Sequence, residues 1–507
     1  MQAVKNIIIL GGGSAGWLTA CILAKKHINH PDLTITLVES TDVPGVGVGE
    51  GTWPTMRNTL QKIGIDEHEF IKHCNVGFKQ GSQFVGWVNG EQGDSYFHPF
   101  TAPKGHGQFD LTPYWQKNQA SQDFSSGVCY QQAICLAGKA PKTITDPAYQ
   151  GLANYGYHLD AGKFSELLKQ HGKDKLNVIH KIATFEQAQQ SANGDIKALL
   201  FTDGTALTGE LFIDCSGFSA LLIGKVLNVP YLDKQDVSAI DTALAVQIPY
   251  RDEQQAVACQ TISTAQDAGW IWDIGLQTRR GIGYVYSSKY CDEQRAKQTL
   301  ANYVGVEVEE LTIKTIAFTP GRREKFWQNN VVAIGLSAGF LEPLEASALM
   351  MIETSAEYVA EHLPVSTEQI SVVAKRFNTS FLYRWQKVID FLKLHYLLSK
   401  RTEPFWQQMS DIDTASDNLR DLMSLWQHRA PNMEDFDSNF EVFPAASYQY
   451  VLYGMGYNSN FSAQSYLYNE HEKAQKLMAI NQQAVQQALV RLPKHRELLA
   501  AIKANGH

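Results

Sequence analysis

Ile7 to Leu10 close the segment VKNIIIL (4–10), a run of branched apolar residues typical of a buried strand. GGGSAG (11–16) follows at once, and WLTACILAKK (17–26) continues as a helix. A second strand is predicted in LTITLVES (33–40), ending near Glu39. Far downstream, NNVVAIGLSAGFLEPLEAS (329–347) reads as a strand over 331–334, a turn of small residues and then an apolar helix. In GWIWDIG (269–275), period-two alternation puts Trp270 and Trp272 on one face of a strand. FNTSFLYRWQKVIDFLKLHYLLSKR (377–401) has apolar residues at helical spacing, so the C-terminal third is expected to be helical. These elements make the chain α/β.

The glycines of the first turn carry chemistry. Gly11, Gly13 and Gly16 fit G-x-G-x-x-G between a strand and a helix. There the backbone can approach a pyrophosphate, and the helix N-terminus favours its charge. Ser14 and Ala15 lie inside the same turn. Glu39, at the end of the second strand, is placed to accept a hydrogen bond from a ribose hydroxyl. Ordinary NAD-binding folds complete their cofactor site early in the chain. Here GVGVGEGTWP (45–54), including Gly49 and Glu50, and the late segment 335–349 add glycine-rich or small-residue turns. FAD is therefore preferred over NAD.

Composition narrows the field. A chain of 507 residues can bury a large core, and a charged fraction of 19% with 11% aromatics is globular. The net charge of −8 argues against sequence-independent nucleic-acid binding. No apolar run reaches the roughly 18 residues of a membrane span, and no export signal is visible. Seven scattered cysteines without a CxxC pair predict a reduced, cytoplasmic protein with no metal site.

GGGSAGW, GVGVGEGTWP, GFKQG, YGYHLDAGKF, FIDCSGF, GWIWDIG and GLSAGFLEPLEAS occur in one order. Together they resemble the flavin-dependent tryptophan halogenase family over roughly residues 1–410. The resemblance implies an FAD-binding, Rossmann-like fold of two dinucleotide-binding segments, with a mixed sheet on the substrate side. Residues 1–364 would form the core, and a mainly helical part, 365–507, would pack on it and help form the substrate site.

The resemblance also implies an activity. FADH2 from a separate reductase and oxygen would convert chloride or bromide to hypohalous acid, which travels along a tunnel to an aromatic substrate. Lys79 would hold the electrophile, and Glu345 would orient it and take the ring proton. Further flavin contacts would fall at Val178, Leu336 and Leu349, and halide would sit on the amides of Ser347 and Ala348. Trp270 and Trp272 match the family's W-x-W-x-I-P wall, which keeps substrate from the flavin. Gly275 stands where the family has proline. Ser219 replaces a common arginine, and Ala346-Ser347 a common Ser-Thr.

His98, Phe100 and Tyr448 match substrate positions. Tryptophan halogenases grip the amino acid with a tyrosine pair and a glutamate. Here Gln449 takes the second tyrosine's place and Met455 the glutamate's, in a stretch (442–469) without Asp, Glu, Lys or Arg. A zwitterion needs polar partners to offset its desolvation. A neutral indole-like ring is therefore expected, rather than free tryptophan. An FAD-dependent aromatic hydroxylase and a non-catalytic FAD-binding protein stay open as alternatives, as does a homodimer. Neither nucleic acid nor membrane is expected as a partner.

Overall fold

The computed structural model describes residues 2–41, 49–118, 122–436, 438 and 441–504. The chain forms two compact units, each assembled from three separated stretches.

The first unit comprises Met1–Val76, Leu159–Lys234 and Thr319–Trp385. Its six-stranded sheet runs in the order Trp327–Gln328, Val331–Ala333, Leu211–Asp214, Asn6–Leu10, Thr34–Glu39, Ile179–Ile182. All neighbours are parallel except the Trp327–Gln328 edge. The first strand of the chain is internal, with Ile9 paired to Ile213 on one side and Leu37 on the other. Ile7 to Leu10 are all buried, as their unbroken apolar run requires of a strand covered on both faces. Helices Ala161–Lys175 and Ser347–Glu361 pack on helix Ser14–Lys26. The late strand at 331–333 thus joins the same sheet as the first, as the late cofactor-like segment led us to expect.

The second unit comprises Gly77–His158, Gln235–Phe318 and Gln386–His507. A seven-stranded sheet runs Lys314–Ala317, Thr242–Pro249, Arg279–Tyr286, Gly269–Gly275, Thr261–Gln266, Gly81–Val85, Ser95–Pro99. It is antiparallel but for the Thr261–Gln266 and Gly81–Val85 pair, which makes it the expected mixed sheet. A short strand, Gly77–Lys79, pairs antiparallel with residues 156–158. The C-terminal region is helical: the 28-residue helix Ile370–Leu397 is followed by Pro404–Met409, Asp417–Trp426, Ala445–Gly454, His471–Arg491 and His495–Ala504. Local signals place some of these ends. The Ser416 hydroxyl accepts the Leu419 amide at one start, and Pro404 occupies the first turn of another. Among the described residues, no helix is long and apolar enough to cross a membrane.

Candidate flavin and halogenation sites

In the first unit the glycine turn is shaped by close approach. Gly11 has φ of 120° and donates its amide to Val38 O at 2.8 Å. A Cβ on Gly11 would lie 2.2 Å from Cys215 O, and one on Gly16 would lie 1.9 Å from Gly11 O. These two positions let strand and helix touch. Gly13 differs: a Cβ there would meet nothing within 4 Å. It is exposed and caps helix Ser14–Lys26 with no side-chain hydrogen bond. The first amides of a helix have no intrahelical acceptor. An open approach to uncapped amides fits a pyrophosphate. Gly335 in the late segment packs on Ala15, where a Cβ would come within 2.9 Å of the alanine methyl. Two segments more than 300 residues apart therefore meet at one turn.

Glu39 lies beside that turn. Its Oε1 is 2.7 Å from His180 Nε2 and 3.1 Å from Lys169 Nζ, and its Oε2 lies over Gly12. The carboxylate is held in a fixed pose at the second strand's end. Ser14 Oγ is 3.0 Å from Ser165 Oγ. Val178 and Leu349 are buried in the unit, while Leu336 is partly exposed in the turn Gly335–Ser337. Gly49 and Glu50 form part of the short strand Gly49–Gly51, where burial pushes the Glu50 carboxyl up to about 7. Residues 45–48 lie outside the described residues.

Glu345 sits at the turn before helix Ser347–Glu361 and is 4% exposed. Pro343 O accepts the Ala346 amide at 3.0 Å, and Ala346 adopts φ of 52°, uncommon for a residue with a Cβ. The helix again begins without a side-chain cap, and Ser347 and Ala348 are accessible. Uncapped amides at an accessible helix start suit a small anion such as halide. Two residues that the sequence did not single out tie this turn and its helix to residues 53–59. Trp53 donates its indole N–H to Glu345 O at 2.7 Å. Glu353, on the same helix, accepts hydrogen bonds from Thr59 at 2.5 Å and Thr55 at 3.2 Å. Burial pushes the Glu353 carboxyl up to about 8. Asp214, within FIDCSGF, similarly organises its own turn by accepting the amides of Ser216, Leu222 and Ile223.

In the second unit Lys79 ends the strand Gly77–Lys79 and is 1% exposed. Its Nζ lies 5.5 Å from the centroid of Phe100, a cation–π distance. Two of the predicted residues are thus adjacent. His158 is also buried, with Nε2 2.9 Å from Thr261 Oγ1. Burial first, then the charge of the neighbouring Lys79, keeps His158 well below its usual range and so neutral. His98 is buried on strand Ser95–Pro99, with Nε2 2.9 Å from Ser447 Oγ. Tyr448 packs among Phe391, Trp426 and Phe436 at 1% exposure. Its helix buries Met455 after its last turn, and Gln449 donates to Pro431 O.

The two tryptophans of GWIWDIG have different surroundings. Trp270 is fully buried against Trp87. Trp272 is partly exposed and its six-membered ring covers Gly283, where a Cβ would be 2.0 Å from the indole. Gly275 is crowded: a Cβ would meet Val257 Cγ1 at 2.8 Å and Ala258 N at 2.9 Å. That segment leaves no room for the family's proline ring.

A glycine turn open to a pyrophosphate, met by an early and a late segment, has the form of a Rossmann-like dinucleotide-binding fold. Comparison with known proteins says which kind. A tryptophan halogenase from Shewanella frigidimarina NCIMB 400, of known crystal structure, is 44% identical with a TM-score of 0.95, covering 99% of this chain and 98% of that one. Tryptophan 6-halogenase SttH from Streptomyces toxytricini is 30% identical over 472 residues, 89% of each chain. BrvH, a flavin-dependent halogenase from Brevundimonas sp. BAL3, is 29% identical with a TM-score of 0.87 over 98% of this chain and 99% of its own. The model of the tryptophan halogenase family matches residues 6–467, and the chain belongs to that family. Its activity class follows: FADH2-dependent halogenation of an aromatic substrate, with halide as co-substrate.

Proposed function

We propose that Lys79 presents the oxidised halogen to an indole-like ring and that Glu345 removes the displaced ring proton. The observation that carries this is the Lys79 ammonium, buried and 5.5 Å from the Phe100 ring centroid. A charged amine is rarely buried without a task. Here it can donate a hydrogen bond to hypohalous acid where water is excluded. The ring carbon bonds to halogen as the halogen–oxygen bond breaks, and the oxygen leaves as hydroxide, which takes a proton from the Lys79 ammonium to become water. Glu345 takes the ring proton as aromaticity returns.

The glycine turn at 11–16, Glu39, Gly49, Glu50, Val178, Leu336 and Leu349 would hold the flavin, which in its reduced form would activate oxygen, the oxidant for halide. Reduced flavin would come from a separate reductase. Halide would rest on the amides of Ser347 and Ala348. Trp272, the more accessible indole, is the better candidate for the wall residue, and Trp270 for its support. His98 and Phe100 would flank the ring, and Tyr448 would stiffen the helix that His98 touches.

The substrate is proposed to be a neutral indole rather than free tryptophan. Met455 fills the place of the clamping glutamate with a buried thioether, and Gln449 is hydrogen-bonded to the backbone. The test is mass spectrometry of products from a panel of indoles with reductase and bromide. Brominated indoles are expected. Products carrying an added oxygen without bromine would instead support the hydroxylase reading.

A further inference from the structure

We propose that His495, from the last helix of the chain, positions Lys79. This rests on the role of Lys79 proposed above. The imidazole is 1% exposed and joins two segments. Its Nε2 is 2.9 Å from the Phe78 amide nitrogen, and its Nδ1 is 3.0 Å from Val257 O. An amide can only donate and a carbonyl can only accept. The ring is therefore neutral, with its proton on Nδ1 and its lone pair on Nε2 directed at Phe78.

Phe78 precedes Lys79 and faces Tyr157 across the antiparallel pair. Its amide hydrogen bond goes to His495, not to the neighbouring strand. On the other side of Lys79, Gln80 donates its amide to Cys259 O at 2.7 Å and its carbonyl accepts from Phe100 at 3.1 Å. The backbone on both sides of Lys79 is thus pinned. The 257–259 segment supplies Cys259 directly and Val257 through His495. Phe100, whose ring faces the ammonium, is tied to the same backbone. His495 Cε1 also lies 3.6 Å from where a Gly77 Cβ would stand, and Gly275 O lies 2.4 Å from it. The crowding that excludes a proline at 275 comes from Val257 and Ala258, the segment His495 holds. A Phe78 amide without its acceptor would be a buried, unsatisfied donor. The strand would shift to satisfy it and carry Lys79 with it.

Two near-isosteric variants separate the two bonds. His495→Gln puts an acceptor where Nε2 stood, and His495→Asn keeps a donor where Nδ1 stood. The experiment measures moles of brominated indole per mole of FADH2 oxidised, together with hydrogen–deuterium exchange of a peptide containing the Phe78 amide. His495→Asn should lower this coupling by about tenfold and accelerate Phe78 exchange by a similar factor, with the rate of flavin oxidation within about twofold of wild type. His495→Gln should restore most of both. Wild-type coupling in His495→Asn overturns the proposal, as does an equal loss in both variants. Lys79→Ala serves as the reference: if it halogenates fully, the role of Lys79 itself fails. If it is inactive while His495→Asn is fully coupled, only the anchoring fails.

Discussion

Substituting Gly13 by alanine should separate cofactor binding from folding. The backbone there has φ −78° and ψ −174°, ordinary for any L-residue, and the new methyl would meet nothing within 4 Å. Folding is therefore unstrained. The loss of glycine freedom in the unfolded chain should stabilise the protein by about 0.4–1 kcal/mol. With a pyrophosphate drawn onto the helix amides, the methyl occupies the approach. Losing one charge-assisted hydrogen bond costs about 1.5–3 kcal/mol, which corresponds to roughly a 10- to 150-fold rise in Kd. Gly11→Ala is the contrast, since its Cβ would collide with Cys215 O at 2.2 Å and its φ of 120° is strained. That variant should lose stability outright. Equilibrium dialysis against FAD and thermal melting of the flavin-free protein read the two effects. An unchanged FAD Kd in Gly13→Ala would refute the assignment of this turn to the pyrophosphate.

Three further outcomes follow from the same geometry. His495 is held neutral, its pKa lowered by burial to about 4. The unfolded chain takes up this proton first, so the stability it contributes is present above about pH 6.5 and is lost as pH falls toward 4, by about 3 kcal/mol in all. Melting curves at pH 7 and pH 4.5 should show a larger loss in wild type than in His495→Gln. Glu345→Gln should slow single-turnover halogenation by on the order of 10²-fold, as for removal of a general base, without changing halide dependence. In a one-pot competition at equal concentration, indole should be brominated about tenfold faster than free tryptophan. A preference for tryptophan would show that a charge clamp exists outside the helix Ala445–Gly454.

The parts legible in the sequence were those coded locally. Strand, glycine turn, helix and second strand follow one another within 40 residues, and each signal is a matter of neighbouring side chains. The return of the late segment was legible too, because a strand followed by small residues has its own pattern. Contacts between distant residues were not. A single histidine near the C-terminus gives no hint that it accepts the amide of a residue 417 positions earlier. Trp53 belongs to the glycine-rich motif at 45–54, but nothing local shows that its indole N–H meets Glu345 O. Alternation placed Trp270 and Trp272 on one face of their strand, yet only Trp272 found a glycine, Gly283, on the neighbouring strand to lie across. Which cross-strand residue stands opposite is a matter of register, and register is set by the whole sheet.

The most direct test of the account is Lys79→Ala, assayed for brominated indole, FADH2 consumption and released hydrogen peroxide in one reaction. The account predicts normal flavin consumption, peroxide in place of product, and no halogenated ring. Halogenation at the wild-type rate would contradict it.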